Sequence, residues 1–276
     1  TMKSNHTLAS AVKLSLASTS KKLAIAGTAL MATVALANAA EDRTLILLQE
    51  NTGDTFLNDY IDGPLEETVV DFIDNLAEGF ETSQTRSIAA GKYQRFVNLS
   101  DSRCTRANLL RELIRQTRDG YEIDLLIYGH GTRERLTLNR GSLTGGRFGN
   151  IRSLARDARR QTRNARFNFN LRMVYMCNCW GSTLNDDWLA AGAEVSVGSR
   201  FNNYMPEPMI NFFLNKFVHG QRTVSQAATE SFNGARILWT PIYGSRRSPA
   251  VYCLGDAVCR RTSMINQSRP VVLGAT

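Results

Sequence analysis

The chain has 276 residues, of which 43% are hydrophobic and 21% are charged, and its formal net charge is +8. That length and apolar content are enough for one large domain with a substantial core. The sequence contains no internal repeat and no low-complexity linker, which argues against a repeat array or a second domain.

The first forty residues differ in composition from the rest of the chain. They carry four lysines and no acid, and then an apolar run over residues 23–37. Ala37-Asn38-Ala39 is the small-x-small pattern that precedes a signal-peptidase site. We therefore expect residues 1–40 to be a secretory signal peptide of a bacterial protein, and residues 41–276 to be the mature domain. A transmembrane anchor is the alternative, but the run is short and rich in Ala, Gly and Thr. The mature domain would be secreted or periplasmic, with no membrane attachment after cleavage.

Beyond this leader, short apolar runs alternate with segments that carry apolar residues at helical spacing. Buried strands are predicted at residues 43–49, 94–99 and 123–128, from Leu171 to the thiol of Cys179, and at 193–199. Helices are predicted within residues 56–80, at 106–119, in an Arg-rich segment at 152–163, from Trp188, at 208–219 and at 224–234. A Gly-rich turn region is predicted at 141–149. This alternation predicts an α/β fold, with a mostly parallel sheet covered by helices on both faces in a single domain.

Arginine is concentrated in the middle of the chain. Eleven arginines lie between Arg133 and Arg172, against only two acids. Those from Arg152 to Arg163 fall at helical spacing and would line one face of a helix. Such a face would suit an anionic partner, and an ordinary solvated helix face is the alternative. Nucleic acid is not the expected partner, because no aromatic residues interleave with these arginines as single-strand binding requires.

Two predicted strands end in residues that can do chemistry. The strand at 123–128 runs into Gly129-His130-Gly131, and the strand that begins at Leu171 has Cys179 at its tip, followed by Trp180-Gly181. In open α/β sheets the working site lies outside the carboxyl ends of the strands. A thiol there needs a base or a positive neighbour to react as thiolate, and imidazole supplies either. The backbone N–H groups of Gly131 and Cys179 would then hold an oxyanion during acyl transfer.

These motifs resemble those of the caspase-like cysteine peptidase superfamily. Caspases have a hydrophobic strand ending in Ser-His-Gly, and about fifty residues later a strand ending in Gln-Ala-Cys-x-Gly. The resemblance implies that Cys179 is the nucleophile, that His130 is the base, and that Gly131 and Cys179 form the oxyanion hole. It implies a caspase-like α/β/α sandwich, a polypeptide substrate and no cofactor or metal. The order of the downstream elements is similar to CHAT domains, and Cys253-Leu254-Gly255-Asp256 resembles a turn near the end of gingipain-like catalytic domains.

The substrate pocket departs from the family pattern. Two residues before the nucleophile, where caspases place Gln and metacaspases Asp, this chain has Cys177. Glu50, just after the first strand, is a candidate for supplying a carboxylate to the pocket, and a solvated loop acid is the alternative. Ser199, at the end of a later strand, is a further pocket candidate. The preferred cleavage residue therefore cannot be carried over from the family.

All five cysteines lie after the leader, where export would permit disulfides. Cys253 and Cys259 would close a small loop, and an odd total leaves at least one thiol free, for which Cys179 is the candidate. Cys177 and Cys179 are predicted to share a strand face at a spacing of two, so Cys177 is a candidate to pair with another cysteine or to act as a redox partner. Two alternatives to a peptidase therefore stay open. One is a catalytically silent caspase-like binding domain, and the other is a thiol–disulfide redox protein that uses Cys177 and Cys179.

Overall fold

The computed structural model of the chain describes residues 41–50, 82–248 and 253–275. The predicted signal peptide over 1–40 and the predicted helices within 56–80 lie outside these ranges. From Asp42 onward the chain forms one compact unit.

The described strands form one large sheet and one small sheet. Their bounds are β1 (Glu41–Gln49), β2 (Tyr93–Ser100), β3 (Glu122–Tyr128), β4 (Gly131–Thr132), β5 (Arg135–Thr137), β6 (Ser142–Thr144), β7 (Leu171–Cys177), β8 (Val195–Ser199) and β9 (Pro270–Gly274). The large sheet has the order β2-β1-β3-β7-β8-β9. In it β1, β3, β7 and β8 are parallel, and β9 is antiparallel to β8.

Helices cover both faces of the large sheet, which confirms the predicted α/β architecture. Their bounds are α1 (residues 82–89), α2 (Arg106–Arg118), α3 (Ser153–Thr162), α4 (Asn185–Ala191), α5 (Pro206–Val218), α6 (Val224–Tyr243), α7 (Ala257–Arg261) and α8 (Met264–Gln267). Apolar residues of α2, α3 and α4 pack on one face, and those of α1, α5 and α6 pack on the other. Because the central strands are covered twice, they read as continuous apolar runs and not as alternating ones.

One charged residue interrupts the apolar interior of the central strands. Asp124 of β3 has a fully buried side chain, which forms an ion pair with Arg172 of β7. The Tyr93 hydroxyl donates a hydrogen bond to the same carboxylate, with an O–O distance of 2.7 Å. Burying a carboxylate is tolerated only when it is paired and hydrogen-bonded, and both conditions are met here.

Helix α6 is longer than its sequence indicates. The prediction ended it at Gly234, but the helix continues to Tyr243. Gly234 is not a helix stop, because a Cβ at this position would lie 3.1 Å from the ring of Phe212 on the neighbouring helix α5. The glycine therefore serves the close packing of two helices, and sequence alone does not separate that role from a C-terminal cap.

The small sheet was not predicted. Its three antiparallel strands, β4, β5 and β6, follow directly after Gly129-His130. They have only two or three residues each, too few to produce a periodic pattern. Their backbone holds the segment that carries His130, since the Thr137 N–H donates to the His130 carbonyl at 3.0 Å.

Candidate active site

The two strand tips named by the sequence lie side by side. Strands β3 and β7 are parallel neighbours, and their pairing ends with Tyr128 opposite Cys177. His130 and Cys179 each follow two residues later, at the same edge of the sheet. The His130 segment and the Cys179 turn therefore leave adjacent strands at the same level, which is the geometry that an open α/β sheet provides for a site.

The two segments are in contact at Gly131. A Cβ at this position would overlap Asn178 Nδ2, and it would lie 2.8 Å from the carbonyl oxygen of Cys179 and 2.9 Å from that of Arg135. Glycine is required here because backbone from the His130 segment is packed directly on backbone and side chain of the Cys179 turn.

The chain turns sharply after Cys179. Trp180 has φ 59°, a left-handed conformation that costs free energy for a residue with a Cβ. Two contacts hold it: its N–H donates to the Phe201 carbonyl at 2.6 Å, and its indole Nε1–H donates to Asn202 Oδ1 at 3.0 Å. Strained backbone of this kind occurs where surrounding structure over-determines it, often at functional sites.

The Cys179 thiol is partly buried beside an apolar cluster formed by Trp180, Phe201 and the half-cystines Cys253 and Cys259. The Asn203 N–H is 3.4 Å from Cys179 Sγ and can donate to it. Burial raises the pKa of the Cys179 thiol, and the Asn203 N–H offsets part of that rise by stabilising the thiolate. The thiol is therefore protonated at neutral pH in the resting protein, so a base has to remove its proton during a reaction.

Cys177 and Cys179 do not share an environment, contrary to the expectation from their spacing. Strand β7 ends at Cys177, whose side chain is buried with Tyr175 and Phe213 on the face covered by α5 and α6. The turn that follows directs Cys179 into the cluster with Trp180. Neither of them forms a disulfide bond in the structure. The physical reason is that the alternation of a strand stops where the strand stops.

The two other pocket candidates lie in different surroundings. The Glu50 N–H donates to the Tyr128 carbonyl at 3.0 Å, and Glu50 Oε2 is 3.8 Å from the position of a Cβ on Gly129. Glu50 therefore lies against the segment that carries His130, on the side away from β7. Ser199 is buried, with its hydroxyl 2.5 Å from the Asn178 carbonyl oxygen and 3.0 Å from that of Phe201. The Ser199 hydroxyl therefore contacts backbone carbonyl groups of two separate segments of the chain.

A disulfide joins Cys253 to Cys259, the pair suggested by their spacing, with Cα atoms 5.6 Å apart. Between them, Asp256 caps helix α7 by accepting from the Cys259 N–H at 2.7 Å. Asp256 also pairs with Arg133 at 2.6 Å, and the Arg133 guanidinium lies 4.7 Å from the centre of the Trp180 ring. The Cys259 N–H and the Arg133 charge lower the pKa of Asp256. This contact ties the segment after His130 to the disulfide loop.

Three residues at this site carried no signal in the sequence: Arg133, Asn178 and Asn203. Arg133 was one arginine among eleven, and its partner Asp256 is 123 residues away. Asn203 lies in a loop after β8 that has no motif of its own. Only the fold brings Asp256 to Arg133 and Asn203 to Cys179.

Within the ranges that the structure describes, no group of three or more His, Cys, Asp or Glu side chains is placed to hold a metal ion. No helix in those same ranges is long and apolar enough to cross a membrane.

Comparisons with known proteins add little to this geometry. No protein-family model matches the chain. No curated protein matches it by sequence either. Among solved structures, the crystal structure of caspase-1 from Spodoptera frugiperda matches with a TM-score of 0.40 and 8% sequence identity. That match covers 84% of this chain and 87% of the other. A likeness of this degree says nothing about activity.

Proposed function

We propose that this protein is an exported cysteine endopeptidase of the caspase-like kind, in which Cys179 is the nucleophile and His130 is the general base. The observation that carries the proposal is the contact at Gly131, where the segment bearing His130 packs on the Cys179 carbonyl. The register of β3 and β7 supports the proposal as well, since His130 and Cys179 each lie two positions beyond the Tyr128–Cys177 pair. The motifs around both residues resemble those of caspase-like peptidases.

In the proposed reaction, Cys179 Sγ attacks the carbonyl carbon of the scissile peptide bond while His130 takes the thiol proton. Because burial raises the pKa of this thiol, a base is needed to remove its proton, and His130 has that role in the proposal. The N–H groups of Gly131 and Cys179 stabilise the oxyanion of the tetrahedral intermediate. His130 then gives its proton to the leaving amine, and a thioester with Cys179 remains. Water attacks the thioester with His130 again as base, which releases the new carboxylic acid and the thiol. These steps need no cofactor.

Export to an oxidising compartment is part of the proposal. Its support is the signal-peptide pattern over residues 1–40 together with the Cys253–Cys259 disulfide, a bond that persists in secreted and periplasmic proteins and is rare in the cytosol. The expected partner in that compartment is a polypeptide substrate.

An anionic partner at the Arg-rich helix is a weaker part of the proposal. Arg152 forms an ion pair with Asp187, and Arg159 donates to the Phe167 carbonyl at 3.0 Å, so these two serve the fold. Arg156, Arg160 and Arg163 remain exposed on or beside α3. Any anionic group would therefore bind through these three.

A catalytically silent caspase-like domain is the second candidate, favoured by the burial that raises the pKa of the Cys179 thiol. We do not propose a redox function for Cys177 and Cys179, because their side chains pack in separate clusters.

The decisive experiment is hydrolysis of a peptide library by the mature protein, under reduction mild enough to keep Cys253–Cys259 intact. Cleavage should be abolished in Cys179→Ala and reduced about 10²-fold or more in His130→Ala. Cys104→Ala, which removes a buried thiol near helix α2, is the control and should cleave normally. A folded protein that cleaves no peptide and is not alkylated at Cys179 by peptide acyloxymethyl ketones would overturn the proposal in favour of the silent domain.

A further inference from the structure

Asn178 occupies the contact between the two halves of the site, although nothing in the sequence marks it. It lies between the last residue of β7 and Cys179, and its relative exposure is 1%. A buried polar side chain at this point needs a physical explanation, because an apolar residue would fill the same space without losing hydration.

One end of the Asn178 amide faces the backbone of both segments. Its Nδ2 donates to the Cys179 carbonyl at 2.8 Å. The same Nδ2 occupies the space where a Gly131 Cβ would be. The backbone next to His130 therefore rests on the amide group, and the amide is oriented by the carbonyl of Cys179.

The other end of the amide faces the far side of the turn. Asn178 Oδ1 lies 3.2 Å from the position of a Cβ on Gly181. This buried oxygen has no hydrogen-bond partner among the residues that the structure describes. A buried hydrogen-bond acceptor without a donor is unfavourable for folding. Residues that break such a rule of folding are expected where function constrains the choice of residue.

The main chain of Asn178 is fixed as well. Its carbonyl oxygen lies 2.5 Å from the Ser199 hydroxyl at the end of β8. The side chain thus projects from an anchored point between Gly131 on one side and Gly181 on the other. Its length sets how close the His130 segment comes to the Cys179 turn.

We propose that Asn178 is a positioning residue, a buried amide spacer that fixes the separation between the His130 segment and the Cys179 turn. This inference rests on the proposed function and deepens it. Proton transfer between imidazole and thiol depends on sub-ångström placement, so a residue that sets this spacing controls the reaction without touching substrate.

The test measures the coupling between His130 and Cys179 directly, without peptide hydrolysis. The chain has three histidines, so the His130 ring signal in NMR is assigned by its loss in His130→Gln. The pKa of His130 is titrated in the parent protein and in Cys179→Ala, and the difference, which reports the hydrogen bond between the protonated thiol and the imidazole, is the coupling. The same pair of titrations is then made in Asn178→Ala and in Asn178→Asp, which keeps the shape of the side chain and loses the N–H donor.

The matched control is Asn185→Ala. Asn185 is as buried as Asn178, donates to the Val271 carbonyl at 3.0 Å and accepts from the Ser196 hydroxyl at 2.9 Å, away from the contact with Gly131. A merely structural role would make Asn178→Ala and Asn185→Ala behave alike in unfolding and leave the coupling unchanged in both.

We expect the coupling to fall to about half or less in both Asn178 variants and to persist in Asn185→Ala. Asn178→Ser replaces Asn178→Ala if the alanine variant does not fold. Coupling of parental size in the Asn178 variants would overturn the inference, and so would its absence from the parent. Intact coupling in the parent without any peptide cleavage would instead overturn the proposed function and leave the role of Asn178 standing.

Discussion

Tyr128 and Cys177 face each other as the last paired residues of β3 and β7. Both strands end there, and the chain reaches His130 and Cys179 two residues beyond these ends. The relationship follows from parallel pairing, because the carboxyl ends of adjacent parallel strands reach the same edge of the sheet. A register shifted by several positions would place the two residues at different levels of the sheet.

The pH dependence of Cys179 alkylation is the first prediction. Burial raises the pKa of this thiol, so its thiolate fraction should rise at a higher pH than that of an ordinary cysteine, whose pKa is about 8.5. Iodoacetamide labelling of the native protein, followed by mass spectrometry of the Cys179 peptide, should reach half its maximal rate above about pH 8.5. The same peptide in the urea-unfolded protein is the reference. Half-maximal labelling near pH 6 in the native protein would contradict the prediction and indicate a preformed thiolate–imidazolium pair.

The parts of the fold that the sequence predicts are those with long, regular patterns. The helix predicted at 106–119 is α2, and its N-terminus is capped by Thr105, whose hydroxyl accepts from the Asn108 N–H at 3.2 Å. Strands β3 and β7 were expected from uninterrupted apolar runs, which parallel sheets produce because both faces are covered. His130 and Cys179 stand out because each directly follows such a run.

The parts that the sequence does not predict depend on contacts between distant residues. The Arg133–Asp256 pair, which spans 123 residues, is one such case. The Asn203 N–H beside Cys179 is another, since any residue other than proline supplies a backbone N–H. The environment of Cys177 was mispredicted because the end of β7 could not be located to the residue, and one or two positions decide which face a side chain takes.

Replacing Gly131 is predicted to damage the site, whereas replacing its neighbour Gly129 is not. A Cβ on Gly131 would overlap Asn178 Nδ2 and crowd the Cys179 carbonyl, whereas a Cβ on Gly129 would meet Glu50 Cβ at an ordinary 3.4 Å. Gly131→Ala should lower kcat/KM by about 10²-fold, because a displacement of about 1 Å is costly at a reacting centre. Gly129→Ala should remain within about twofold of the parent. Steady-state hydrolysis of the best library peptide measures both, and equal effects from the two substitutions would refute the assignment of Gly131.

The buried ion pair between Arg172 and Asp124 is predicted to be essential for stability. Arg172→Ala leaves the carboxylate of Asp124 buried without its cation, which should cost about 3 kcal/mol of unfolding free energy. Arg222→Ala, which breaks an exposed pair with Glu230, is the matched control and should cost less than about 1 kcal/mol. Urea unfolding followed by circular dichroism gives both values. If Arg172→Ala lost as little unfolding free energy as the control, the prediction would be wrong, and water would have to reach the Asp124 carboxylate.

The disulfide between Cys253 and Cys259 is predicted to stabilise the fold and to maintain the apolar cluster that packs against Cys179. It closes a short loop with a sequence separation of six, for which loop entropy gives a contribution of about 2 kcal/mol. A double Cys253→Ser, Cys259→Ser variant should lose about that much unfolding free energy. Strong reductant should lower the unfolding free energy of the parent protein by a similar amount. The double variant is its own control, because reductant should not change its unfolding midpoint.

The loop also carries Asp256, the partner of Arg133, so reduction should release the segment after His130 and slow peptide cleavage before the protein unfolds. A parent protein whose midpoint and cleavage rate are both unchanged by strong reductant would contradict this coupling of the disulfide to the site.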